Sequence, residues 1–251
     1  MFNLNSKKVL ITGGSRGIGA ACVKYFCMAG ASVAFTYNSN PALAAKLEKR
    51  FSKISKCKSY KVDINNEAEI KNTVLTVVKD FGRIDVLVNN AGIWKEGKIS
   101  SMKLSAWEET LKINLTSTFL FTQQVIHFMK LKRYGKIINI SSTAGQRGEA
   151  HYSHYAASKG GMISFTKSLA SELGPFNINI NSVAPGWVLT DMSKSVLSNK
   201  KSLDEEVKKI PIGRIATADD IAGPVLFLAS DLSRHINGEV LNVNGGSVLV
   251  G

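Results

Sequence analysis

The sequence predicts an α/β fold, a single doubly wound parallel sheet flanked by helices, and three observations carry that expectation. Short aliphatic runs alternate with longer amphipathic segments along the chain. Runs such as Val86-Leu87-Val88 and Ile137-Ile138 are nearly continuous, as strands buried on both faces are. Glycine and proline gather at the junctions, and no linker divides the chain, so one domain is expected over 1–251.

The elements follow in order. Val9 to Ile11 reads as the first strand, and Ala20 to Ala29 as the helix after it. Ser32 to Tyr37, Ile84 to Val88, Lys136 to Ile140 and Asn177 to Val183 read as further strands, short and apolar enough to lie inside a sheet. The clearest amphipathic helices are Pro41 to Phe51, Glu67 to Phe81, Ser105 to Leu131 and Ser153 to Leu173. After Pro185-Gly186, a Ser- and Lys-rich stretch runs to Lys201 before another helix.

Between the first strand and its helix stands Thr12-Gly13-Gly14-Ser15-Arg16-Gly17-Ile18-Gly19. Gly13 permits a tight turn, Gly17 removes a side chain where a pyrophosphate would approach, and Gly19 lets helix and sheet pack closely. The helix N-terminus adds amide donors and partial positive charge. A Rossmann-like dinucleotide site is therefore expected, with Gly13, Ser15, Arg16, Gly17, Ile18 and Gly19 in its first turn. Which dinucleotide is read at the end of the second strand, Tyr37-Asn38-Ser39, where no carboxylate stands. An Asp or Glu there would hold ribose hydroxyls but repel an added phosphate. Arg16 offers that phosphate a cationic fork, with Asn38 and Ser39 as neutral donors, so NADP(H) is the expected cofactor.

Tyr155 and Lys159, four residues apart in a helical segment, fall on neighbouring turns. A free phenol has a pKa near ~10, so proton transfer near neutrality needs a cation beside it, and Lys159 can supply one. Ser142, 13 positions before Tyr155, closes a strand and can reach the same pocket. By itself the Tyr/Lys pair is also what a helix surface shows.

Composition narrows the alternatives. The chain carries 32 Lys and Arg against 19 Asp and Glu, a net charge of +13, which raises nucleic acid, anionic membranes and acidic proteins as partners. No zinc finger, basic zipper or RNA-binding aromatic signature accompanies the charge, so no nucleic-acid partner is expected. No run approaches the roughly 20 apolar residues of a membrane span, and the start lacks a secretory pattern, so the expectation is no membrane and a cytoplasmic location. Cys22, Cys27 and Cys57 read as packing residues. The four histidines lack ligand spacing, and no metal is expected.

Thr12-Gly13-x-x-x-Gly17-x-Gly19, Asn89-Asn90-Ala91-Gly92, Asn114, Ser142, Tyr155-x-x-x-Lys159 and Pro185-Gly186, in that order and over nearly the whole chain, resemble the short-chain dehydrogenase/reductase family. The resemblance implies a catalytic tetrad of Asn114, Ser142, Tyr155 and Lys159, with Asn114 shaping a water-linked proton route to the lysine. It implies further cofactor contacts from Tyr37, Asp63 and Ile64, from Asn90, Ala91 and Gly92, from Tyr155 and Lys159, and from Pro185, Gly186, Val188 and Thr190. A substrate lid is expected over about 187–212, with Trp187, Val188, Met192 and Tyr152 as apolar walls. The resemblance also implies that the two long helices, Ser105 to Leu131 and Ser153 to Leu173, pair between subunits of a homotetramer, and Gly238 to Gly246 resembles the last strand and turn.

Within the family the pattern resembles the bacterial 3-oxoacyl-acyl-carrier-protein reductases, for which an acidic carrier would suit Lys130, Lys132 and Arg133. Phe176 and the segment Gln146 to His151 depart from that group's pattern. A sugar, polyol or other small-alcohol dehydrogenase stays open as an alternative. A basic NADP(H) sensor or nucleic-acid binder would call for a degraded tetrad or an added recognition motif.

Overall fold

The computed structural model describes residues 3–250, so Met1, Phe2 and Gly251 of the expected 1–251 domain lie outside the described residues. In chain order it forms β1 (Lys8–Ile11), α1 (Gly17–Met28), β2 (Ser32–Tyr37), α2 (Pro41–Phe51), β3 (Cys57–Lys61), α3 (Glu67–Phe81) and β4 (Val86–Asn89). There follow α4 (Leu104–Leu111), α5 (Ser117–Lys132), β5 (Gly135–Ile140), α6 (Thr143–Arg147), α7 (Ser153–Leu173) and β6 (Ile178–Pro185). The chain ends with α8 (Lys194–Leu197), α9 (Lys200–Lys208), α10 (Ala218–Ala229) and β7 (Val240–Val243).

The seven strands make one sheet in the order β3-β2-β1-β4-β5-β6-β7, every pairing parallel. This is the doubly wound architecture expected. Strand order reverses between β1 and β4, so the loops leaving their C-terminal ends diverge and open a crevice there. Alternation along each strand feeds two cores. Val9, Ile11, Val33, Phe35, Val86, Val88, Ile138 and Ile140 face one layer, packed with residues of α1 and α10. Leu10, Ala34, Leu87, Ile137 and Ile180 face the other, packed with residues of α3, α5 and α7.

Three helices, α2, α3 and α7, match their expected bounds, and capping explains the first two. Asn40 accepts from Leu43 N ahead of Pro41, and Asn66 accepts from Ala68 N and Glu69 N, while Gly82 ends α3 at φ 82°. Elsewhere the structure corrects the expectation. The first helix starts at Gly17 rather than Ala20, because the glycine turn runs directly into it. The helix expected over Ser105–Leu131 is divided by a π-helical turn at Lys112–Thr116, which widens the backbone around Asn114. β3 carries no aliphatic run, since as an edge strand it buries only Cys57 and Tyr60. α10 went unforeseen because Pro224 lies inside it; the signal was the reciprocal cap in which Thr217 and Asp220 bond each other's backbone amides. No helix among the described residues is long and apolar enough to cross a membrane.

A buried polar chain ties the middle of the sheet to its helices. Asn89 Nδ2 donates to Thr122 Oγ1 at 3.1 Å and to Asn139 Oδ1 at 2.9 Å, and Asn139 Nδ2 donates to Thr166 Oγ1 at 2.9 Å. The β4, β5, α5 and α7 elements are thereby fixed in one register. Asn139→Ala would strip partners from Asn89 and Thr166 in a dry interior, and a loss of at least about 2 kcal/mol is expected in a denaturant melt. An unchanged midpoint would show that water or neighbouring groups satisfy the network.

Candidate active site

The crevice holds an open cleft of about 930 Å³ running from the glycine turn, past the ends of β4 and β5, to the segment after β6. Of the expected cofactor residues, Gly13, Ser15, Arg16, Gly17 and Ile18, then Tyr37, Asn38, Ser39 and Ile64, line it. So do Asn90, Ala91, Gly92, Tyr155, Lys159, Pro185, Gly186, Val188 and Thr190. Two do not. Gly19 is buried beneath the turn, where a Cβ would stand 2.3 Å from Gly13 O, so its role is packing. Asp63 is exposed outside the lining, its carboxylate accepting from Asn65 N and Nδ2 at 3.0 Å, and the neighbouring Asn65 lines the cleft in its place.

The turn is built for an anionic group. Gly13 (φ 64°) and Gly17 (φ 54°) take left-handed conformations that side chains disfavour. Thr12 Oγ1 accepts from Asn90 N at 2.9 Å and Ala91 N at 3.0 Å, while Asn90 Nδ2 donates to Thr12 O and Gly13 O, so the β1 and β4 loops form one clamp. Helix α1 begins without a side-chain cap and without an acid in its first turn, leaving amides and dipole for a phosphate. Tyr37, Asn38, Ser39 and Asn40 line the adjoining end of the cleft without a carboxylate. Ser141 Oγ is buried, has no protein partner and belongs to a residue on the lining, which suits a ligand that would complete it. The donor set fits a dinucleotide.

Three members of the expected tetrad converge. Ser142 caps α6, its Oγ accepting from Ala144 N at 3.1 Å, and bonds the Tyr155 side chain. Surrounding protein pushes the Tyr155 phenol up to about 12, against the pull of the Ser142 bond and with a smaller upward push from the Glu149 carboxylate. Lys159 Nζ lies 5.9 Å from the Tyr155 ring centroid and donates to Ile140 O at 2.7 Å. Burial without a compensating charge pulls its ammonium down to about 8. At neutral pH the proton therefore rests on the tyrosine with a cation beside it.

Asn114 is set apart from these three. It is fully buried, its Oδ1 accepting from Ile93 N at 2.8 Å and its Nδ2 donating to Ile93 O and Ser158 Oγ. The side chain thus clamps the loop after β4 rather than lining the cleft. Gly92 separates it from the lysine: a Cβ there would stand 3.1 Å from Asn114 Oδ1 and 3.6 Å from Lys159 Nζ.

At the other end Trp187, Val188 and Met192 line the cleft as expected, whereas Tyr152 stands behind it, stacked on Trp94. Trp94, Glu149 and Glu206 also line this end and were not foreseen. Position offered one clue for Trp94, a large aromatic directly after the Asn89 to Ile93 turn.

Comparison with known proteins follows the same lines. A family profile described as enoyl-(acyl carrier protein) reductase matches residues 13–247. The 3-oxoacyl-(acyl-carrier-protein) reductase FabG of Aquifex aeolicus is 42% identical, covering 98% of each chain. The Thermotoga maritima and Escherichia coli enzymes of that name are 37% and 36% identical, each over 99% of this chain and 100% of their own. A solved structure titled as that of gox2181 superposes with a TM-score of 0.94 at 32% identity, covering 98% of this chain and 97% of its own.

The depressed Lys159 ammonium makes a prediction about stability. Its folded value of about 8 lies below the ordinary 10.5, so between those values the unfolded chain binds more protons and stability rises with pH. Below that window the buried charge costs about 3 kcal/mol. Lys159→Met is expected to melt no lower than the wild type at pH 7 and to flatten the rise above pH 8, leaving the part due to Lys136, which burial also lowers to about 8. A lower melting temperature at pH 7 would show that the ammonium is well compensated.

Proposed function

Since the chain belongs to the short-chain dehydrogenase/reductase family of nicotinamide-dependent oxidoreductases, we propose that it reduces 3-oxoacyl thioesters on an acyl carrier protein to 3-hydroxyacyl thioesters with NADPH. The observation that carries this reading is the meeting of Tyr155, Ser142 and Lys159 in one cleft with the glycine turn, in a chain similar end to end to reductases of that name.

The glycine turn and α1 N-terminus would hold the pyrophosphate, Arg16 with Asn38 and Ser39 the added phosphate, and Lys159 the nicotinamide ribose. Bound there, NADPH would supply the hydride that a carbonyl carbon accepts. Tyr155 donates its proton to the carbonyl oxygen, and Ser142 bonds that oxygen as charge develops, a contribution of about 3 kcal/mol in comparable sites. Lys159 stabilises the phenolate left behind. Asn114 acts as a positioning residue, holding Ile93 and with it the loop that faces the lysine. The 1–251 domain works as one unit in the cytoplasm, with 187–212 as lid. The proposed homotetramer would pair copies through α5 and α7, on a face where Phe119 is exposed beside Phe165 at 6.4 Å.

A second reading, a dehydrogenase of sugars or other small alcohols, is favoured by the carboxylates of Glu149 and Glu206 on the cleft. NADPH oxidation with acetoacetyl thioesters, simple ketones, quinones and keto sugars separates the two. Preference for the thioester is expected, and turnover of sugars alone would overturn it.

Tyr155→Phe should lower turnover about a thousandfold while NADPH binding stays within a few-fold; near-normal turnover would remove the tyrosine as proton donor. Reduction should decline as pH rises through about 8, where Lys159 loses its proton while Tyr155 keeps its own, and a flat kcat/KM profile to pH 10 would contradict that coupling. Arg16→Ala should weaken NADPH at least about tenfold more than NADH in a binding titration. Equal weakening of both would remove Arg16 from phosphate recognition.

A further inference from the structure

Trp94 is braced from several directions. Its ring lies flat on Tyr152, centroids 4.3 Å apart at 4°, and meets Trp187 edge-on at 5.6 Å and 85°. The Glu149 carboxylate stands near enough to its side chain to be stabilised by it. The loop carrying it is bridged to α7 by parallel pairing of Gly97 with Tyr152, Gly97 N donating to His151 O at 2.8 Å. Trp187 is held in turn, its Nε1 donating to Glu206 Oε2 of α9 at 2.7 Å. Both indoles line the cleft that contains Tyr155 and Ser142. Held in this way, the two rings present one continuous aromatic wall to the cleft, Trp187 and its brace Glu206 travelling together on the 187–212 lid.

What borders the indoles is charged. Glu149 stands against Trp94, Glu206 against Trp187, and Lys209 pairs with Glu206 at 2.7 Å. A chain extending past the rings would lay methylenes against carboxylates and an ammonium, and would forgo the roughly fourfold gain in affinity that each buried methylene otherwise brings.

We propose, resting on the thioester reading above, that Trp94 and Trp187 form the end wall of the acyl pocket and restrict the enzyme to short acyl chains. Apolar surface for a short chain is offered on the same lining by Ile93, Met192 and Ile210, among others. Tyr152 and Glu206 are positioning residues that act through the two indoles.

The test is a kcat/KM series with NADPH and 3-oxoacyl-N-acetylcysteamine thioesters of four, eight and twelve carbons. In the wild type the twelve-carbon substrate is expected to fall at least about tenfold below the four-carbon one, with the loss in KM. Trp94→Ala and, separately, Trp187→Leu are expected to bring the two within about threefold. NADPH binding by each variant reports whether it is folded, and if one fails that check the wild-type series and the other variant decide. Equal handling of all lengths by the wild type, or an unchanged length ratio in a folded variant, would overturn the wall. Failure to turn over any thioester, with turnover of another carbonyl class, would overturn the thioester reading and this inference with it.

Discussion

The site depends on a buried ammonium. Lys159 is almost wholly enclosed, its one hydrogen-bond acceptor among the described residues is the Ile140 carbonyl at the tip of β5, and no described carboxylate pairs with it. A charge so placed strongly favours any anion that forms within reach, and the group at hand is the Tyr155 phenol. Much of the surrounding architecture reads as making room for that ammonium. Gly92 keeps the wall beside Nζ thin, and Gly145 lets α6 press against the backbone of Lys159, where a Cβ would come within 2.6 Å of the lysine carbonyl carbon. Ser142, which starts α6, is thereby carried to the tyrosine.

The parallel sheet supplies the fixed frame. Ile140 ends β5, Asn89 ends β4 and Ile11 ends β1, and the loops leaving these three strands hold the lysine's acceptor, the Asn90 clamp and the glycine turn. Because the polar chain through Asn89, Asn139 and Thr166 locks β4 and β5 to α5 and α7, the distance from the tip of β5 to the helix bearing Tyr155 is set inside the core rather than at the surface. The π-helical turn serves the same frame. It leaves Asn114 facing Ile93, so the loop after β4 is clamped from behind while Gly92 faces the cleft.

What was legible in the sequence follows this division. Strands buried on both faces announce themselves as aliphatic runs, and α2 and α3 were read to the residue because asparagine, proline and glycine mark their ends. Tyr155 and Lys159 were legible because a helix turns their spacing into proximity. β3 was not, since at the sheet edge it buries only Cys57 and Tyr60 and its polar sequence looks like a loop, and α10 was hidden by Pro224. Sequence distance alone does not say which polar residue of Asp63, Asn65 and Asn66 turns toward the crevice. Asn65 does.

The substrate end was the least legible part, for a physical reason. Tyr155 and Lys159 sit on a regular helix whose periodicity survives in the sequence, whereas Trp94, Tyr152, Trp187 and Glu206 come from four separate segments and meet only in the folded chain. Nothing in their spacing links residue 94 to 187. The net charge of +13 shows the same limit from the other direction. Summed over the chain it suggests anionic partners, yet at the substrate end the decisive charges are the carboxylates Glu149 and Glu206, each spent on an indole N–H or its ring system. Long-range charge can draw an acidic carrier toward the molecule, but it decays within about a Debye length and cannot choose which acyl group fits. Discrimination of that kind needs contacts made inside the cleft, where Trp94 and Trp187 stand.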